Sequence, residues 1–114
     1  MKLFRFLLLA FAVGFSLNTM AQDVKTDSIR VYGNCGMCES RIVKALKTEG
    51  VEKVTWDSET QMLVVTYDAA RITNDEIQKK VAAVGHDTEK YKADDKVYGK
   101  LPGCCQYERK KAEQ

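Results

Sequence analysis

The sequence predicts an α+β domain in which strands and helices follow the order β-α-β-β-α-β. Three observations carry this expectation. Short runs of β-forming residues recur at 28–32, 51–56 and 62–67. Two segments of helical period, 38–49 and 73–84, are each stopped by a glycine, Gly50 and Gly85. A loop built on Gly33, Asn34, Cys35 and Gly36 separates the first strand from the first helix.

Taken in order, Ser28-Ile29-Arg30-Val31-Tyr32 alternates polar and apolar side chains, the period of a strand with one face buried. The helix after the loop places Cys38, Ile42, Ala45 and Leu46 on one face. Val51 to Trp56 reads as a second strand with Val54 and Trp56 on one side. Asp57-Ser58-Glu59-Thr60 is a polar turn, and Met62 to Tyr67 is a third strand. Thr73 with Glu76 three residues on forms a capping box. It opens a helix with Ile77, Val81 and Val84 on one face, and Gly85 suits its C-terminal cap. Residues 87–92 are expected to form a short, more polar fourth strand. The whole is a split βαβ pair, a ferredoxin-like sandwich whose four-stranded antiparallel sheet carries both helices on one face.

The flanks differ from this core. Lys2 and Arg5 precede an uncharged run from Phe6 to Asn18, followed by Thr19-Met20-Ala21. That order is expected of a secretory signal peptide cleaved after Ala21. The run is shorter than the roughly 20 apolar residues that span a bilayer. Residues 22–27 read as a short linker, 28–92 as the domain, and 93–114 as a C-terminal tail. Loss of 1–21 moves the formal charge from +2 to 0, so the exported chain lacks the basic footprint of a nucleic-acid binder. No membrane anchor is expected once the signal is removed. The compartment would be the periplasm in a bacterium with two membranes.

All four cysteines, Cys35, Cys38, Cys104 and Cys105, fall after the signal. Four cysteines in an exported protein ordinarily suggest two disulfides. Bridges within these two local pairs would close very short loops and constrain little unfolded-state entropy. Cys35-Gly36-Met37-Cys38 stands where a strand gives way to a helix. Unpaired N–H groups and the positive end of the helix dipole face that loop and stabilise thiolates. Two soft ligands three positions apart converge on one ion, with Cu(I) favoured and Zn(II) or Hg(II) the alternatives.

At this point the sequence resembles the heavy-metal-associated domain family, which includes copper chaperones, modules of copper-pumping ATPases and the periplasmic mercury carrier. The resemblance covers about residues 28–92. It rests on the segment from Gly33 to Cys38, on Ser40 to Leu46, on Gly50 to Val54, on Val64 to Asp68, and on Val84-Gly85-His86. It implies that Cys35 and Cys38 are the metal ligands and that a metal transporter or other metal-accepting protein is the partner. The family usually carries Met two residues before the first cysteine, packed beneath the loop; this chain has Gly33 there. Met37, between the two cysteines, is a weaker candidate for shielding or ligation.

Topology brings the loop after the second helix to the same end as the cysteines, so His86 is expected near the ion, beside it or as an occasional third ligand. Cys104 and Cys105 are candidate auxiliary ligands if the tail folds back; otherwise they belong to a tail that does nothing to the domain. Trp56 reads as core packing. Lys44 and Lys47, and Lys79 and Lys80, read as solvated helix faces that a partner can also use. No paired-carboxylate, Ser/His/Asp or glycine-rich phosphate motif is present, so the chain reads as a binder without catalysis. The second functional class is a small thiol-disulfide protein, whose CxxC also begins a helix. Against it, Pro102 lies outside the domain and no interior proline faces the cysteines.

Overall fold

A computed structural model describes residues 23–109. The expected signal peptide and the last five residues, 110–114, lie outside the described residues. Strands β1 (Val24–Arg30), β2 (Val51–Asp57) and β3 (Met62–Asp68) form an antiparallel sheet in the order β1-β3-β2. Helix α1 (Gly36–Ala45) joins β1 to β2, and helix α2 (Asn74–Ala83) follows β3. Two further elements come from the tail: a short helix α3 (Asp95–Gly99) and a 3-10 turn (Gly103–Cys105). Among the described residues no helix is long and apolar enough to cross a membrane.

Alternation along β3 buries Leu63, Val65 and Tyr67 and leaves Val64 outward. With Ile29 and Trp56 from the flanking strands they meet Ile42 and Leu46 of α1 and Ile77 and Val81 of α2 in one core. Register is set by Ile29 opposite Leu63 and Trp56 opposite Leu63; a slip of one residue would turn this apolar row to solvent. The first strand begins earlier than expected. Residues 24–27, read as linker, pair with β3, and the Thr26 and Thr66 hydroxyls bond at 2.9 Å.

Helix α2 starts at the expected cap. Thr73 Oγ1 accepts from the Glu76 N–H at 3.2 Å and donates to the Glu76 carboxylate at 3.3 Å. It ends in a Schellman motif: Gly85 N–H donates to Ala82 O and His86 N–H to Val81 O. Gly85 has φ +106°, and Leu101 packs on the space a Cβ would fill.

The fourth strand expected at 87–92 is not formed, and among the described residues the sheet has three strands. Only Thr88 bridges Val31, flanked by Tyr32 N–H to Asp87 O and Glu89 N–H to Arg30 O. Local side-chain bonds then outcompete the ladder. Thr88 Oγ1 accepts from the Tyr91 N–H at 2.9 Å, Gln78 Oε1 accepts from the Lys90 N–H at 3.2 Å, and Thr88 N–H closes a turn on Tyr91 O at 2.7 Å. The chain leaves the sheet edge there instead of running its length.

The tail is therefore not an appendix. It returns as a strap, with Ala93, Leu101, Cys105 and Tyr107 buried. Leu101, Cys105 and Tyr107 belong to the same core cluster as the sheet and helices. Asp94 caps α3 by accepting from the Lys96 N–H. Arg109 grips Asp87 through two hydrogen bonds, Nε to Oδ2 at 2.9 Å and a second nitrogen to Oδ1 at 2.8 Å. This pair closes the strap onto the domain.

Candidate metal centre

Cys35 occupies the N-cap of α1 in extended conformation (φ −149°, ψ −178°), and its carbonyl accepts the first helical bond, from Glu39 N–H. Cys38 lies one turn into the helix with its side chain inward and is fully buried. The two sulfurs are 3.9 Å apart. The loop before them is held from beneath. Trp56 Nε1 donates to Val31 O at 3.0 Å, and Gln61 Nε2 donates to Gly33 O at 2.9 Å. A Cβ on Gly33 would lie 3.0 Å from the Trp56 ring and 3.1 Å from Cys38 Cβ. The indole occupies the place beneath the loop, which accounts for glycine at 33.

The helix terminus does not act equally on the two thiols. The backbone N–H groups of Cys38 and then Met37 face the Cys35 sulfur. Although neither reaches ordinary capping geometry, together they hold its thiol down at about 7. Burial pushes the Cys38 thiol up to about 11, and the Asn34 N–H at 3.4 Å from its sulfur only partly offsets this. Cys35 is the more readily ionised of the two, about half thiolate near pH 7, and Cys38 becomes a thiolate when something replaces its proton.

The strap brings Cys105 to this pair. The sulfurs of Cys35, Cys38 and Cys105 all lie within 4.8 Å of one another. Cys105 is fully buried, set there by the 3-10 turn against α1. Its neighbour Cys104 points elsewhere: it is exposed, its sulfur 3.4 Å from Met37 Sδ and 3.9 Å from that of Cys105. Cys104 reaches the loop by its carbonyl, which accepts from the Cys35 thiol at 3.4 Å and from Asn34 Nδ2 at 3.5 Å. Met37 itself is half exposed.

His86, expected beside the ion or as an occasional third ligand, is placed differently. It is fully buried and outside the three-sulfur group. Its Nδ1–H donates to Tyr32 O at 2.8 Å, its ring stacks on Tyr107 at 5.5 Å, and Nε2 has no hydrogen-bond partner. Burial lowers its pKa, so the ring is neutral. The returning strap covers it.

Leu101 and Tyr98 pack against the core in the returned strap, and Tyr107 and Arg109, which no sequence motif singled out, fasten it. Tyr107 is the hub: its hydroxyl accepts from Asp87 N–H at 2.7 Å and donates to Gly85 O at 3.0 Å. Tyr98 meets its ring edge-on at 5.1 Å, and the Arg109 guanidinium lies over Tyr98. The available signal was a pair of tyrosines in a segment otherwise rich in charge.

Comparison with known proteins matches this geometry. Three solved structures share the fold over somewhat more than half of this chain. Oxidised MerP from Ralstonia metallidurans CH34 is 34% identical, with 58% of this chain and 94% of that chain covered and a TM-score of 0.55. A protein from Bacillus anthracis str. Ames, named only provisionally as copper-ion-binding, is 25% identical, with 60% and 100% covered and a TM-score of 0.57. The CopZ metallochaperone, at 24% identity, 56% and 98% coverage and a TM-score of 0.54, shares the fold. No curated protein sequence matches the chain. The sequence profile of the heavy-metal-associated domain matches residues 34–87, from the residue before the first thiol to the residue before the Thr88 bridge with Val31. With its CxxC loop at the first strand-to-helix junction and its antiparallel sheet beneath two helices, the chain belongs to the heavy-metal-associated domain family.

Proposed function

We propose that this protein is a non-catalytic carrier of one soft metal ion, Cu(I) before Hg(II) or Zn(II), held by the thiolates of Cys35 and Cys38. The observation that carries the reading is the sulfur pair itself, 3.9 Å apart at a helix N-terminus on a loop tied down by Trp56 and Gln61. Metal–thiolate bonds of about 2.3 Å place two ligands of one ion between about 3.8 and 4.6 Å apart, from tetrahedral to linear geometry. The pair stands in that range before any ion enters. Softness favours Cu(I) and Hg(II), and Zn(II) accepts the same ligands. The provisional copper assignment of the Bacillus anthracis relative supports the first choice.

The cargo passes to a metal transporter or another metal-accepting protein. The N-terminal charge, apolar run and Ala21 support export and removal of residues 1–21, with function in the periplasm where there are two membranes.

Replacing Cys35 and Cys38 together by Ser tests the site. Stoichiometric Cu(I) binding by the reduced protein should be lost while its circular dichroism is kept. Tight one-to-one binding in the double variant refutes the assignment.

A second reading has one observation in its favour. A half-buried thiol near 7 beside a buried thiol near 11 is also the asymmetry by which a dithiol attacks a disulfide. Turnover of a disulfide substrate by the metal-free protein decides for it; stoichiometric reaction without turnover decides for the carrier.

A further inference from the structure

We propose that Cys105 is a third ligand, so that the C-terminal strap closes the metal site and the cargo is an ion that accepts three thiolates in a nearly trigonal arrangement. The inference rests on the carrier reading of Cys35 and Cys38 and extends it to the strap.

The geometry of the first pair points this way. For metal–sulfur bonds of about 2.3 Å, two sulfurs 3.9 Å apart subtend about 116° at the ion. A linear two-coordinate site would need them about 4.6 Å apart by the same arithmetic. An angle close to 120° leaves room for one more ligand in the plane, and Cys105 supplies a sulfur within 4.8 Å of both others.

Nothing about Cys105 suits an inert tail. It is fully buried, whereas Cys104 beside it is exposed. The strap is built to hold this choice: Tyr107 is anchored to Gly85 and Asp87, Arg109 grips Asp87, and Leu101 packs on Gly85. The Cys104 sulfur, though 3.9 Å from that of Cys105, falls outside the three-sulfur group. It lies against Met37 at the outer edge. Release to an acceptor then requires the strap to lift or the acceptor's ligands to displace Cys105 first.

The test is sulfur coordination by X-ray absorption on the reduced protein with one equivalent of Cu(I), kept anaerobic with a sulfur-free reductant. Wild type and Cys104→Ser should show three sulfurs, and Cys105→Ser two. Loss of a direct ligand should weaken Cu(I) by at least the roughly 10–100-fold seen for groups that only support ligands. Tyr107→Ala keeps every thiol but loosens the strap, and should also show two sulfurs. Circular dichroism confirms that each variant is folded.

Two sulfurs in wild type, or three in Cys105→Ser, overturns the role of Cys105. If that two-sulfur binding vanishes in the Cys35→Ser/Cys38→Ser variant, the carrier reading stands without the strap. Binding that survives in this double variant removes the carrier reading itself.

Discussion

Tyr107→Phe isolates the hydrogen bonds that fasten the strap, because it keeps the ring and removes only the hydroxyl. The ring contacts with His86 and Tyr98 survive. The Asp87 N–H, which donates to the hydroxyl at 2.7 Å, and the Gly85 carbonyl, which accepts from it at 3.0 Å, both lose a buried partner. A buried unsatisfied polar group costs about 1–3 kcal/mol. The carbonyl keeps a second lone-pair site and is the less costly of the two. The sum is about 2–4 kcal/mol, or about 30- to 1000-fold in the equilibrium for strap opening. Amide exchange reads this directly: the Asp87 N–H should exchange faster by that factor, while amides of β3 change less if the strap opens as its own unit. Denaturation followed by Trp56 fluorescence reports any share borne by the whole domain. An Asp87 amide that exchanges as in wild type, with a midpoint shift worth under about 0.5 kcal/mol, would show that the hydroxyl does not hold the strap.

Gly33→Ala should destabilise the domain by about 1–3 kcal/mol through overpacking, since the Trp56 ring it meets at 3.0 Å is itself fixed to Val31 O; unchanged stability in urea would show that the indole yields. Cys35 in the reduced, metal-free protein should be alkylated by iodoacetamide with a rate that rises through about pH 7, because its lowered pKa keeps it ionised above that value, while buried Cys38 stays unreactive at neutral pH. A midpoint near the ordinary 9.0 contradicts the effect of the helix terminus. Burial opposes ionisation of Asp87, but Arg109 and the Ala93 N–H outweigh it and lower its pKa below the ordinary 3.8. A depressed folded-state pKa contributes stability above the unfolded value and loses it as pH falls through the folded one. Strap protection should therefore fail as pH drops below about 3.8, and Asp87→Asn should weaken the strap at neutral pH and remove that dependence. Acid sensitivity unchanged in Asp87→Asn would assign it to another carboxylate, such as Asp27.

Local pattern was enough for much of this protein. Alternation in β3, the helical spacing of Ile77 and Val81, the Thr73 cap and the Gly85 stop are each decided within a few residues, so they are legible in sequence. The same holds for the CxxC loop, whose chemistry follows from its place between a strand and a helix. What needed the tertiary structure were contacts between residues far apart in the chain. The fourth strand was lost to Gln78 and Thr88, ten residues apart, whose side chains took the N–H groups a ladder would have used. Gly33 has no meaning until Trp56, from another strand, is seen beneath it. His86 becomes buried only because Tyr107 returns to cover it. The difference between Cys104 and Cys105 is likewise invisible in a pair of identical neighbours. Residue type sets what a thiol can bind, but burial and direction depend on where the strap docks, and docking is decided by long-range contacts at Gly85 and Asp87 that no local pattern encodes.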